Sequence, residues 1–375
     1  MKKIQMVDLQ SQYYKIKSDV DNAVLNVMDS AAFINGPEVK SFQKELEDYL
    51  GVKHVIPCAN GTDALQIALM ALDLKEGDEI ITSDFTFAAT VEIIHLLKLK
   101  AVLVDVDYDT FTIDTEKIKA AITDKTKAII PVHLFGQCAN MEEILKIAKE
   151  HQLYVVEDNA QAIGADYTFS DGSVKKSGTM GTLGTTSFFP SKNLGCYGDG
   201  GAIFTNDDEL AHQIRGIVNH GMYQRYHHDV IGVNSRLDSI QAAVLRKKLP
   251  HLDGYNEARR KAADFYDEAF ANHPDILLPK RAEHSTHVFH QYTLRILNGK
   301  RNDLVAFLAE KDIPAMIYYP IALRNQKAYF QESNPEDFKN TDLLIEQVIS
   351  LPMHTELDDE QLSYITESVL EFFKS

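Results

Sequence analysis

From about residue 50 to residue 205 the chain alternates short β-branched runs with stretches of helical spacing, and no other feature restricts its fold as strongly. HVIPCA (54–59), EIIT (79–82), AVLVDV (101–106), KAIIPV (127–132), LYVVED (153–158), TTSFF (185–189) and GAIFT (201–205) read as strands. Between them, 62–72, 87–98, 114–122 and 139–151 carry apolar residues at helical spacing. Strands joined through helices pair in parallel, so the spacing predicts an α/β fold with a large, mostly parallel sheet and helices on both faces. Ligands of open α/β sheets bind at the carboxyl ends of the strands, which directs attention to the residues that follow each run.

Past Ser235 the texture changes to long polar helices near 236–249 and 250–272, then FHQYTLRIL (289–297), a helix near 301–311 and IPAMIYY (313–319). This reads as a smaller α+β domain, dividing the chain into 1–245 and 246–375, with the boundary inside the 236–272 helical stretch. The first 50 residues are helical, with a Gly36-Pro37 turn between two helices. At about 150 residues per domain, a length of 375 residues gives two to three domains with ample core.

Composition excludes several classes of function. Against 38 Lys and Arg stand 55 Asp and Glu, a net charge of −17 that disfavours wrapping nucleic acid or lying on an anionic membrane. Cys58, Cys138 and Cys196 are too few for a disulfide framework or a four-cysteine zinc site, which fits a reducing cytoplasm. MKKIQMVDLQ lacks the apolar core of a signal peptide, and no apolar run reaches the roughly 20 residues of a membrane helix.

Three strand ends carry chemistry. At Ala59-Asn60-Gly61-Thr62-Asp63 a strand runs through a glycine turn into a helix, whose free amides and Thr62 hydroxyl can seat a phosphate dianion; Asn60 or Thr62 as a plain N-cap is the other reading. Val155-Val156-Glu157-Asp158-Asn159-Ala160-Gln161 ends an apolar strand in carboxylates, where Asp158 can keep a heterocyclic nitrogen protonated or simply cap a helix. In Thr186-Ser187-Phe188-Phe189-Pro190-Ser191-Lys192 a lysine follows a strand and a proline, ahead of the glycine-rich Gly198-Asp199-Gly200-Gly201. A desolvated lysine can lose its proton and form a Schiff base with an aldehyde. Phosphate seat, carboxylate and lysine, in that order, are the set that pyridoxal phosphate requires. No G-x-G-x-x-G accompanies them, so a Rossmann dehydrogenase loses support.

ANGTDAL (59–65), VEDNAQ (156–161), SFFPSKNLGCYGDGGAI (187–203) and VNSRLDSIQAA (233–243) resemble the DegT/StrS family of nucleotide-sugar aminotransferases, and the likeness extends from FINGPEV (33–39) into the second domain. The resemblance implies the fold type I, aspartate-aminotransferase-like architecture of pyridoxal-phosphate enzymes. It implies Lys192 as the Schiff-base lysine and proton shuttle, Asp158 on the pyridinium nitrogen, Gln161 on the ring's phenolic oxygen, and Phe87 stacked on the ring. Gly61, Thr62 and Ser187 would hold the phosphate, with Asn234 reaching the phosphate of a neighbouring subunit in a homodimer with shared sites. Some family members carry His in place of this lysine and dehydrate; Lys192 implies transamination.

GCYGDGGAIFTNDDELA (195–211), RYHH (225–228) and GVNSRLD (232–238) are most similar to enzymes that aminate carbon 3 of keto nucleotide sugars. The implied acceptor is UDP-2-acetamido-2-deoxy-3-keto-glucuronate, with L-glutamate as donor and 2-oxoglutarate as by-product, in surface polysaccharide synthesis such as that of O-antigen. A 3-keto or 4-keto 6-deoxyhexose nucleotide is the alternative, and a pyridoxal-phosphate-binding regulator without turnover a further one. Tyr318-Tyr319-Pro320-Ile321-Ala322-Leu323-Arg324 departs from the family, where Pro and His are common at the positions of Ala322 and Arg324. Arginine binds carboxylates through two parallel hydrogen bonds, so Arg236 and Arg324, with Tyr318, are the expected substrate contacts. His133, His220, His227 and His228 lack a metal-ligand spacing, no metal is expected, and Cys196 reads as a packing residue.

Overall fold

The computed structural model describes residues 2–374. Seven strands build the central sheet: β1 (His54–Cys58), β2 (Glu79–Ser83), β3 (Lys100–Val104), β4 (Thr126–Ile130), β5 (Tyr154–Asp158), β6 (Leu183–Ser187) and β7 (Gly201–Thr205). Their order is β1-β7-β6-β5-β4-β2-β3, and β7 alone in this sheet runs antiparallel to its neighbours. The carboxyl ends of β2, β5 and β6 therefore meet along one edge, as does the end of β1.

The apolar runs are continuous because both faces of the sheet are covered, and successive residues divide between them. Ile80, Ala128, Ile130 and Val156 point to a core shared with the helices Gly61–Met70 and Ala89–Leu96. Ile81, Ile129 and Val155 point to the opposite core, against the helix Met141–His151. The helices Pro37–Leu50 and Ser239–Lys248 complete that side with Phe42, Leu46, Ala242 and Leu245.

The expected strand 185–189 lies two residues earlier, at Leu183–Ser187. Gly184 reads as a breaker in sequence, yet it is required within the strand, since a Cβ there would stand 1.8 Å from the Gly178 carbonyl oxygen. Phe188 turns into the core beside Phe42 instead of extending the strand, and Phe189 is left half exposed.

A second antiparallel sheet contains β8 (Ile276–Leu277), β9 (Tyr292–Ile296) and β10 (Val348–Leu351). It packs with the helices Leu252–Phe270, Arg301–Glu310 and Asp359–Phe372 around Tyr266, Phe270, Leu304 and Ile365. Ile4, from the start of the chain, inserts into the same core. The helix Leu252–Phe270 bridges both units: Leu252 belongs to the first core, and Ala262 through Phe270 to the second. Among the described residues no helix is long and apolar enough to cross a membrane.

Candidate active site

The edge where β1, β5 and β6 end opens into a cavity of about 520 Å³. At the end of β1, Asn60 adopts an extended conformation and its side chain accepts a hydrogen bond from Asp63 N at 2.8 Å, so Asn60 is the helix cap. Gly61 and Thr62 begin the helix and line the cavity, placing the positive end of the helix dipole and its unpaired amides there. Gly61 is dictated by packing: a Cβ would lie 2.6 Å from the Cβ of Ser187. Ser187, at the end of β6, lines the same corner, so both halves of the expected phosphate seat are adjacent.

At the end of β5, Asp158 is 5% exposed. Its carboxylate accepts from Ala160 N at 3.2 Å and from Thr90 Oγ1 at 2.8 Å, which fixes its orientation and leaves it on the cavity wall. The residues after it form a turn and not a helix, so Asp158 caps no helix. Gln161 follows, accepting from Phe135 N at 2.8 Å and donating to the Tyr319 hydroxyl at 3.2 Å. Glu157 faces away from the cavity, where it accepts from the amides of Gly178, Met180 and Gly181 and from His133. His133 Nδ1 in turn accepts from Ala139 N at 3.2 Å, which fixes the ring between Glu157 and the chain that follows it.

Lys192 rides on a loop clamped from several directions. Lys192 N donates to Phe189 O at 2.8 Å, and Asn193 Nδ2 donates to Asn256 Oδ1 at 2.7 Å and to Val288 O at 2.9 Å. Gly195 O accepts from the buried Lys248 Nζ at 2.6 Å, and the Cys196 thiol donates to Phe188 O at 3.0 Å, a packing role. Burial lowers the Lys192 pKa from 10.5 to about 8, against the opposing pull of Asp158. The rate at which the cofactor-free protein captures pyridoxal phosphate, read from visible absorbance, should therefore rise with pH up to about 8 and level off there. A rate still climbing towards pH 10.5 would mean that Lys192 is solvated like any surface lysine.

Lys192, Gly61, Thr62, Phe87, Asp158, Gln161, Ser187 and Tyr318 all line this one cavity. Asn234, Arg236 and Arg324 do not. Asn234 is exposed, in a bridge with Asn219, and Arg236 is half-buried. Arg324 is 4% exposed, and its guanidinium pairs with the fully buried Asp84 and with Asp342. In this arrangement both arms of the guanidinium are engaged by carboxylates of the chain itself. Removing it alone would strand a buried charge, a loss of about 3–5 kcal/mol.

Sequence reasoning missed Thr86 and His290, both in the cavity wall. Thr86 stands in the FTF string beside Phe87, and that adjacency was a usable signal; His290 arrives from the segment just before β9 with no local signal at all. Thr86 Oγ1 and His290 Nδ1 are buried without a protein partner. Buried polar atoms left unpaired are costly unless a ligand or water meets them. With an anion seat at one end, an oriented carboxylate at another, a lysine of lowered pKa and two unmet polar atoms, the residues fit pyridoxal phosphate.

The model of the DegT/DnrJ/EryC1/StrS aminotransferase family matches residues 14–370. A "pleiotropic regulatory protein" of Geobacillus stearothermophilus is 46% identical over 99% of this chain and 99% of its own. The UDP-2-acetamido-2-deoxy-3-oxo-D-glucuronate aminotransferase of Pseudomonas aeruginosa is 45% identical over 96% of this chain and 98% of its own. Among solved structures, S. venezuelae DesV in complex with a ketimine intermediate superposes with a TM-score of 0.95 at 36% identity, covering 100% of both chains.

Proposed function

Since this chain belongs to the DegT/DnrJ/EryC1/StrS aminotransferase family, we propose that it transfers the amino group of L-glutamate to carbon 3 of a UDP-linked keto sugar, UDP-2-acetamido-2-deoxy-3-keto-glucuronate. The enzyme is a pyridoxal-phosphate-dependent aminotransferase with the fold type I architecture. The observation that carries the reading is the convergence of Lys192, Asp158 and the Gly61–Ser187 seat on one cavity; the Pseudomonas relative supports the choice of sugar. When bound, the cofactor supplies an electron sink that makes the Cα proton labile and carries nitrogen between two substrates. Lys192 Nζ, neutral in an appreciable fraction near its pKa of about 8, takes that proton and returns it. Asp158 holds the proton on the ring nitrogen, and the helix start at Gly61 and Thr62 with Ser187 anchors the phosphate.

Charge balance supports a homodimer with shared sites. Among the described residues lining the cavity, Lys192 is the sole lysine or arginine, while a phosphate and the two carboxylates of glutamate must be accommodated. The missing cations have a source in the 222–236 segment, where Arg225, Asn234 and Arg236 lie beside the exposed Tyr226 and Ile231, an apolar surface suited to a second copy. In this arrangement Asn234 reaches the partner's phosphate seat, and Arg236 reaches a substrate carboxylate. Mixed with subunit exchange, inactive Lys192→Ala and Asn234→Asp chains should regain about a quarter of parental activity, since half the dimers are mixed and each holds one intact site of two. Zero recovery with exchange confirmed would mean that each chain builds its site alone.

The activity is tested by 2-oxoglutarate release from glutamate against UDP- and dTDP-linked 3-keto and 4-keto sugars. The 3-keto uronate should be turned over fastest. A 6-deoxyhexose in first place would move the assignment to that class. Cofactor binding without turnover on any sugar would favour the regulator, the reading to which the name of the Geobacillus relative gives weight.

A further inference from the structure

The second domain sends one strap across the cavity. At its near end Met316 N donates to Ser350 O at 3.0 Å and Ser350 N returns a bond to Met316 O at 2.7 Å, tying the strap to β10. At its far end Leu323 packs into the core of the first domain, and Gln331 Nε2 donates to Ala101 O at 3.1 Å. Tyr318 and Tyr319 lie between these anchors, in the cavity wall.

One buried residue holds the far end in place. Asp84 O accepts from Leu323 N at 3.1 Å, Asp84 Oδ1 accepts from Arg324 N at 2.7 Å, and Asp84 Oδ2 pairs with the Arg324 guanidinium. The other arm of that guanidinium holds Asp342. Asp84 directly follows β2, and Thr86 and Phe87 of the facing wall come next in the chain. Across the gap, Tyr319 stands 6.0 Å from the Phe85 ring and 6.3 Å from the Phe87 ring, centroid to centroid. The same carboxylate is thus the joint for both aromatic walls. The loop of Lys192 and the carboxylate of Asp158 are held by other partners, Asn256 and Val288 for the first, Ala160 and Thr90 for the second.

We infer that the Asp84–Arg324 pair is a latch that positions Tyr318 and Tyr319 beside the acceptor sugar, making Arg324 a positioning residue for acceptor binding. The inference rests on the keto-sugar reading above. Tyr318 and Tyr319 belong to the strap and not to the segments that hold Lys192 and Asp158, so a shift of the strap falls on the larger substrate, while glutamate depends mainly on groups that the latch does not hold.

Arg324→Lys keeps the charge but cannot span Asp84 and Asp342 with a planar fork; Asp84→Asn keeps the shape and loses the charge. In the cofactor-free protein, amide hydrogen exchange over 317–324 and 84–88 should quicken by about tenfold or more in either variant, with the 188–196 loop unchanged. In the loaded enzyme, KM for the keto sugar should rise about tenfold with kcat within about threefold, and the single-turnover rate with glutamate should hold within about twofold. Unchanged exchange, faster exchange with an unchanged KM, or equal losses with glutamate and sugar would each overturn the latch. If one variant does not fold, the other decides. If the parent aminates no keto sugar, the functional reading fails, and the exchange pattern alone decides whether Asp84 and Arg324 hold the two walls together.

Discussion

Lys192→Ala chains should fold, retain the phosphate seat, and lose turnover by more than about 10³-fold, because one residue supplies both the covalent anchor and the proton carrier. Among the described residues of the cavity wall, His290 is the other nitrogen base, and burial together with nearby Lys192 and Arg259 holds its pKa well below the ordinary range. It is a poor substitute for an amine. The visible band that the parent develops with pyridoxal phosphate should be missing, since an alanine cannot bond the aldehyde. Folding should not suffer. Burial lowers the lysine's pKa from 10.5 to about 8, so in the parent the charged form is disfavoured in the folded state. That shift corresponds to a penalty of about 3 kcal/mol, present in full below pH 8 and fading as pH rises to 10.5. The cofactor-free variant should accordingly melt at or above the parent's temperature at neutral pH, and its advantage should shrink in alkali. Parental transamination by this variant would overturn the assignment of the whole site.

How far the sequence foretold this site follows from the range of the interactions involved. The strands of the central sheet were legible because burial on both faces demands unbroken apolar runs such as Ile80–Ile81 and Val155–Val156. The residues at their ends were legible because cap, carboxylate and lysine each sit a few positions from a strand. The strand expected at 185–189 begins two residues earlier, at Leu183, because Gly184 is needed there for the close approach of Gly178, a contact with no local signal. His290 was invisible, being placed by the segment just before β9, far along the chain from the rest of the site. The pairing of Arg324 was invisible for the same reason: its partner Asp84 lies 240 residues away in sequence, and an unpaired arginine cannot be told from a paired one without the fold. Asn234 and Arg236 remain outside the cavity of their own chain, where a single sequence offers only resemblance as a guide.

Asp158→Asn isolates the charge from the geometry. With the amide oxygen in the place of Oδ1 it can still accept from Ala160 N, and the amide nitrogen in the place of Oδ2 can donate to Thr90 Oγ1, whose hydroxyl also accepts, so the turn after β5 and the position of the side chain should persist. A neutral amide cannot stabilise a protonated ring nitrogen, and with that proton the electron sink weakens. Turnover should fall by about 10²–10³-fold, as when a group that stabilises developing charge is removed. Cofactor affinity should change far less, because Gly61, Thr62 and Ser187 keep the phosphate. A second readout separates this from general damage. Asp158 raises the Lys192 pKa against the larger effect of burial. Removing its charge should therefore move the acid limb of pyridoxal-phosphate capture below its parental position near pH 8, making capture faster at neutral pH even as turnover collapses. A merely misfolded site would slow both. Unchanged turnover with an unchanged acid limb would leave Asp158 as the residue that closes the turn at Ala160, and the proton on the cofactor ring would need another keeper.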